Sequence, residues 1–163
     1  MTPVKLALIG LGRMGRVHAS ALATLDLMDV VVVADPHPAT PEHARKFFPR
    51  AETVSSYTDA VQRVEACLIV SPTPLHPEMV GAALDAGVHV LCEKPLALDS
   101  ASAQRIAVMA IAARVPRSVR LAEAPSHGIA IRNYAPGTPG AESYARAAEE
   151  FAQRVFNTPV SVT

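Results

Sequence analysis

Gly10-Leu11-Gly12-Arg13-Met14-Gly15 follows a short apolar run, Val4 to Ile9, and opens a helix-compatible stretch over 13–25. In that setting a G-x-G-x-x-G spacing has a mechanism. The first glycine permits a tight turn, the second lets backbone approach a pyrophosphate, and the third allows a helix to pack closely on a strand. The phosphate would sit on the free N–H groups of the helix N-terminus, where the helix dipole favours an anion. The next strand candidate, Val30-Val31-Val32-Val33-Ala34, is β-branched and continuous, so it reads as a central parallel strand buried on both faces. Asp35-Pro36 stops it, and Asp35 stands twenty residues beyond Gly15, where a ribose-binding acid belongs. Asp35-Pro36 could also merely end a strand, but strand, glycines, helix and acid agree in order. A carboxylate there accepts from ribose hydroxyls and repels a 2′-phosphate, and no arginine follows directly, which favours NAD over NADP.

Outward from this unit, strand-like and helix-like segments alternate. Thr40-Pro41-Glu42 predicts a helix start with Thr40 as cap and Pro41 at the first helical position. A short strand is expected at Thr53-Val54-Ser55 and a short helix over 57–63. Ala66-Cys67-Leu68-Ile69-Val70 predicts a strand ended by Ser71-Pro72-Thr73-Pro74, and 75–86 a helix closed by Gly87. Val88-His89-Val90-Leu91-Cys92 is the next strand, after which Asp99 or Ser100 caps a helix to about Ala113. Such alternation with short connections predicts an α/β fold, a Rossmann-type doubly wound parallel sheet over residues 1–115. Beyond it, Pro116, Pro125, Gly128, Pro136, Gly137, Pro139 and Gly140 punctuate a short irregular C-terminal segment, 116–163. Two short strands are expected there, around 118–122 and 129–132. A final helix over 141–156 places Tyr144, Ala148, Phe151 and Val155 on one stripe, an apolar face that must dock on something.

Composition narrows the function classes. Fifteen basic and fifteen acidic residues leave no net charge, which argues against a nucleic-acid partner. Half of the 163 residues are apolar and 18% are charged, enough for a packed core and too apolar for disorder. No apolar run approaches the roughly 18–20 residues of a membrane helix. The amino end shows no basic leader, so a cytoplasmic location is the expectation. Aromatics are only 4% and Trp is absent, and a core of Ala, Val and Leu suits helices on a parallel sheet. Cys67 and Cys92 fall in neighbouring strands and read as small buried hydrophobes. His18, His37, His43 and His127 have no ligand spacing with an acid or cysteine, so no metal site is expected. Arg114, Arg117 and Arg120 read as a solvated basic face.

Two further segments, Ser71-Pro72-Thr73-Pro74-Leu75-His76 and Glu93-Lys94-Pro95, lie at the carboxyl ends of later strands, where open α/β sheets bind ligands. With Gly10–Gly15 and Asp35, in this order and spacing, they resemble the glucose–fructose oxidoreductase / inositol dehydrogenase / MocA (Gfo/Idh/MocA) family over roughly residues 4–112. The resemblance implies a cofactor site of Gly10, Leu11, Gly12, Arg13, Met14, Gly15, Asp35, Ser71, Thr73, His76, Glu93 and Lys94. Thr73 stands where most relatives carry Asn, so an amide contact becomes at best a hydroxyl contact. It implies that His76 shapes the nicotinamide side, although a helix-start histidine with satisfied hydrogen bonds fits as well. It implies a catalytic role for Lys94, whose ammonium would steady a substrate oxygen with Pro95 fixing the turn; read alone, Lys94 is a solvated loop lysine.

By the same resemblance, relatives carry a second domain that supplies an Asp-x-x-x-His pair with the His as general base. Asp85 and His89 have that spacing but fall on a helix end and a strand start, so they read as structural. Residues from Pro116 onward resemble the closing part of the relatives' substrate domain, ending in Tyr144, Phe151 and Asn157-Thr158-Pro159-Val160-Ser161-Val162-Thr163. The chain would then join a complete cofactor domain to a remnant of a truncated substrate domain. The expected activity is NAD-dependent hydride transfer with a secondary alcohol of a polyol or sugar substrate. The alternatives are a non-catalytic NAD-binding module or partner subunit, and a truncated chain whose exposed face needs a partner. A homo-oligomer is also open.

Overall fold

Val4–Ile9 forms β1, and only Lys5 of its six residues is exposed. A strand with both faces buried belongs in the interior of a parallel sheet. β1 pairs in parallel with β2 (Met28–Ala34) on one side and β4 (Ala66–Ile69) on the other. The edges are β3 (Glu52–Val54) and β5 (His89–Cys92), giving five parallel strands in the order β3-β2-β1-β4-β5. The valine run is not uniformly buried. The β1–β2 register slips between Leu6 and Ala7, passing from Val30 to Val32 on β2, and Val31 is only partly buried.

These strands come from a computed structural model that describes residues 2–109, 119–127 and 130–156. The chain separates into two compact units, Met1–Met109 and Ala110–Thr163.

In the first unit, helices α1 (Arg13–Leu22), α2 (Thr40–Phe47), α3 (Tyr57–Val61), α4 (His76–Asp85) and α5 (Ser100–Met109) connect or follow the strands. The main core joins Ala7 and Ile9, Val32 and Ala34, and Cys67 and Ile69 from the three inner strands to Ala60, Val61, Met79, Val80, Ala83 and Ile106 of α3, α4 and α5. Alternate strand residues such as Leu8, Val33 and Leu68 point to the opposite face. Ala19 of α1 and Ala44 of α2 are fully buried outside the main cluster and cover that second face. The result is the expected Rossmann-type doubly wound sheet.

Two local expectations need correction, at Thr40 and at the start of α4, and at α5 one of two expected caps is the one used. Thr40 is the first residue of α2 rather than its cap, and Ala39 holds the cap position without a side-chain bond. The preceding turn is instead closed by Asp35 and His37: His37 N–H donates to Asp35 Oδ1 and Ala39 N–H to His37 Nδ1. The helix expected over 75–86 begins as a 3-10 turn, Thr73–Leu75, before α4 proper. At α5 the cap is Asp99, whose Oδ1 accepts from Ser102 N–H at 2.8 Å; that bond holds its carboxyl below the usual value. The continuation of α5 toward Ala113 lies outside the described residues.

The second unit differs most from expectation. Where strands were expected, the described residues form α6 (Val119–Glu123) and α7 (Ile131–Tyr134). Arg120, Ala122 and Glu123 are helix formers with only Val119 β-branched among their neighbours, and Arg120 pairs with Glu123 one turn on at 3.2 Å. Arg120 is exposed, while Arg114 and Arg117 lie outside the described residues. The Tyr134 ring stacks on His127 at 4.9 Å, and its hydroxyl donates to Glu123. Helix α8 (Pro139–Phe156) starts with Pro139 behind Thr138, whose Oγ1 accepts from Ala141 N–H. The apolar stripe is not docked at its start: Tyr144 and Ala148 are exposed, and over residues 139–150 the buried positions are Gly140, Ala141 and Ser143. The side chains of Phe151 and Val155 lie outside the described residues, as does the segment 157–163.

Candidate functional site

Parallel pairing brings the carboxyl ends of all five strands to one edge, and successive backbone bonds tie that edge together. Gly10 N–H donates to Ala34 O, Val70 N–H to Ile9 O, Asp35 N–H to Val54 O and Glu93 N–H to Ile69 O, at 2.8–3.0 Å. The loops that follow are therefore fixed relative to one another.

The glycine loop occupies the centre of this edge. Gly10 has φ +95°, and a Cβ there would lie 2.8 Å from the Val70 carbonyl. Gly15 is buried, and a Cβ on it would collide with the carbonyl oxygen of Gly10. Both are demanded by the fold itself. Gly12 is different: a Cβ there meets nothing within 4 Å. It caps α1 without a side-chain bond, and no acidic residue stands in the first turn of that helix. The N-terminal N–H groups of α1 are thus offered outward beside an unobstructed Gly12, which suits a phosphate.

Asp35 locks this loop to the end of β2. Its Oδ2 accepts from Leu11 N–H at 2.7 Å and its Oδ1 from His37 N–H at 2.8 Å. Each carboxylate oxygen keeps a further lone pair, so the group can still accept from sugar hydroxyls.

A cleft of about 770 Å³ opens over these groups. Gly10, Gly12, Arg13, Met14, Asp35 and Ser71 line it, and Leu11 lies buried beneath with its N–H turned to Asp35. Ser55, Ser56 and Tyr57 after β3 and Glu78 and Met79 on α4 complete the wall. The Ser71 hydroxyl is buried with no hydrogen-bond partner among the described residues. An open Gly12, an uncapped helix and an unpartnered wall hydroxyl all fit a bound dinucleotide.

The other expected residues lie off this cleft. Thr73 begins the 3-10 turn and is half-buried. His76 is 1% exposed, with Nε2 2.8 Å from Ser71 O and Nδ1 2.9 Å from Pro95 O. A neutral imidazole has one N–H and serves one of these carbonyls; only the doubly protonated ring donates to both. Either way, His76 joins the loop after β4 to the loop after β5 rather than facing the cleft. Glu93 turns to α1, where its Oε1 meets His18 Nε2 at 2.7 Å, and its Oε2 accepts from Lys94 N–H. His18 is the main reason that the Glu93 carboxyl is held below the ordinary glutamate value. Lys94 is exposed, and its peptide bond to Pro95 is cis. Asp85 ends α4 and His89 starts β5, at the opposite end of that strand from Glu93, which fits their structural reading.

Cys67 is buried in β4, and Cys92, at the end of β5, is half-buried. Burial pushes the Cys67 thiol up to about 12 and Cys92 to about 11. Among the described residues there is no group of three or more metal-ligating side chains, and no helix is long and apolar enough to cross a membrane.

Sequence reasoning passed over three residues. His18 was set aside for lack of ligand spacing, yet it partners Glu93 from 75 positions away, a separation that spacing rules do not cover. Tyr57 and Glu78 were also missed. The strand-edge rule that singled out the loops after β4 and β5 applies equally to β3, and would have pointed to Tyr57.

Comparison with known proteins agrees with this geometry. Residues 4–121 match the GFO_IDH_MocA family, described as an oxidoreductase family with an NAD-binding Rossmann fold. Myo-inositol dehydrogenase Hyg17 of Streptomyces leeuwenhoekii is 36% identical over 112 residues, 68% of this chain and 34% of the relative. The rhizopine catabolism protein MocA of Rhizobium meliloti is 34% identical over 111 residues, 68% of this chain and 35% of the relative. Scyllo-inositol dehydrogenase from Lactobacillus casei, solved with NAD(H) and scyllo-inositol bound, superposes with a TM-score of 0.61 at 32% identity, covering 66% of this chain and 34% of that one. The chain thus spans about a third of the length of these relatives. The glycine loop, Asp35 and the five-stranded parallel sheet all fall within the matched region, and the chain belongs to the Gfo/Idh/MocA oxidoreductase family through its NAD-binding Rossmann domain.

Proposed function

We propose that this chain is the cofactor-holding part of an NAD-dependent dehydrogenase acting on a secondary alcohol of a polyol of the inositol or sugar type. The observation that carries the reading is the joint between Leu11 and Asp35, which sets the N-terminus of α1 and a ribose-side carboxylate along one cleft. In this reading residues 1–115 are the cofactor domain, and 116–163 correspond to a late part of the substrate domain.

Each residue then has a task. The N–H groups at Gly12 and the start of α1 receive the pyrophosphate, with Arg13 and Met14 beside it. Asp35 accepts from ribose hydroxyls while holding the loop through Leu11 N–H. Ser71 and Thr73 border the path toward the reacting end. His76 and Glu93 act one step removed: His76 ties the Ser71 carbonyl to that of Pro95, and Glu93 ties the β5 loop to His18 on α1. Lys94, carried by that loop, is the residue we assign to hold the substrate oxygen, and the base that takes the hydroxyl proton would come from the substrate domain. When bound, NAD supplies the hydride acceptor.

One observation favours a non-catalytic NAD-binding module instead: Lys94 is exposed and stands outside the cleft lining. An NADH fluorescence titration followed by a polyol panel with NAD separates the two. Binding with new NADH formed from a polyol, lost in Lys94→Ala, supports the dehydrogenase. Binding without turnover supports the module, and no binding contradicts both.

A further inference from the structure

We infer that His18 is a positioning residue, through which a phosphate held at the start of α1 sets the Lys94 segment by way of the Glu93 carboxylate. The inference rests on the reading of the glycine loop as the pyrophosphate site and of Lys94 as the residue that holds the substrate oxygen.

One helix carries both ends of this path. Gly12 and Arg13, at the start of α1, line the cleft, and His18 lies about 9 Å further along the same helix at 1.5 Å per residue. The chain itself does little to steady that start. Gly12 offers no side-chain cap, the first turn holds no acidic residue, and only Gly15 and Ala19 of the ten helical residues are buried. A bound anion supplies what the sequence omits, so occupancy of the loop and the order of α1 are linked.

Glu93 is the element with two arrangements. Its Oε1 meets His18 Nε2 at 2.7 Å while its Oε2 accepts from Lys94 N–H at 2.9 Å, so one carboxylate spans helix and loop. An ionised carboxylate only accepts, so Nε2 carries the proton of this bond whatever the charge on the ring. Both side chains are half-buried, and the His18 bond is the first cause that holds the Glu93 carboxyl below its ordinary value. Released from His18, the carboxylate is free to turn to solvent, and Lys94 N–H then loses its acceptor.

The rest of the segment is fixed by other means. Glu93 N–H donates to Ile69 O at 2.9 Å, and Pro95 O lies 2.9 Å from His76 Nδ1 on α4. Lys94 stands between these two anchored residues, and among the described bonds the carboxylate is the tether that answers to α1. A phosphate on the helix thus bears on Lys94 without touching it. The competing view is that His18 and Glu93 merely fasten α1 to the end of β5.

The test uses ADP-ribose, which carries the pyrophosphate and lacks the nicotinamide ring. Exchange of the Lys94 amide proton with water, resolved by NMR, reads whether the carboxylate is in place. Ser102 N–H is the control, since Asp99 Oδ1 holds it in the same kind of bond away from α1. In wild-type protein, saturating ADP-ribose is expected to slow Lys94 exchange about threefold or more and to leave Ser102 nearly unmoved. His18→Leu should abolish the effect, and His18→Gln, whose amide Nε2 can donate to Glu93, should restore most of it. ADP-ribose that binds yet leaves Lys94 exchange unchanged in the wild type, or slows it equally in His18→Leu, would overturn the inference while leaving the cofactor reading intact. Failure of both ADP-ribose and NADH to bind would overturn both.

Discussion

The backbone N–H of Leu11 donates to Asp35 Oδ2 at 2.7 Å, joining the glycine loop to the acid at the end of β2. Residues 24 positions apart thus form one rigid unit. In the proposed reading Asp35 serves the fold and the cofactor with the same carboxylate. Replacing it should therefore show in both. Asp35→Ala is expected to lose about 1–3 kcal/mol of stability by freeing two N–H groups, and to weaken NADH binding by roughly 10–100-fold. Urea unfolding and NADH titration on the same samples check the two effects, and Asp35→Asn, which keeps one acceptor oxygen, should fall between.

His76 is buried and sits between two carbonyls, so its loss should be felt by both loops. His76→Ala removes the ring N–H from between Ser71 O and Pro95 O and opens a cavity, at a cost of about 2–4 kcal/mol. The urea midpoint measures this. A midpoint unchanged from wild type would mean that the ring does not join the loops.

Glu93 predicts an acid limb in the stability profile. Its carboxyl is depressed first by the His18 bond, so the pair's contribution is complete above the ordinary glutamate value of 4.5. It is lost as pH falls from there through the lower folded-state value. Wild type and Glu93→Gln should differ in urea midpoint near neutral pH and converge only as pH falls below the lowered folded-state value.

The thiols predict the opposite limb. Cys67 and Cys92 are raised to about 12 and about 11 in the folded chain, from an ordinary value of 9.0. Above that ordinary value the unfolded thiols ionise while the folded ones do not, so stability falls as pH rises through 9.0 and beyond. At pH near 8 a thiol reagent should react with them slowly in native protein and fully in urea, since the thiolate is the reactive form.

The sheet was legible because its signals are local and agree: an apolar run, a glycine turn, a helix, then β-branched valines stopped by Asp35. The second unit was not. Around 118–122 and 129–132 short segments carrying Val119, Ile129 and Ile131 read as strands, but Arg120 and Glu123 close a helical turn and Tyr134 stacks on His127. Those contacts arise only once the chain has turned. At the site, glycines and acid were found by spacing, whereas the His18–Glu93 and Tyr57–Glu78 pairs join different elements. No sequence period links such residues; only the sheet edge does.

Gly12 gives the most direct test of the cofactor site. Gly15→Ala must push against the Gly10 carbonyl and should damage fold and binding together. A Cβ at position 12 meets nothing within 4 Å, so the fold has no need of that glycine and only a bound pyrophosphate would. Gly12→Ala should unfold within about 1 kcal/mol of wild type yet bind NADH at least about tenfold more weakly. Unchanged NADH affinity in a folded Gly12→Ala protein would contradict the placement of the phosphate at this loop.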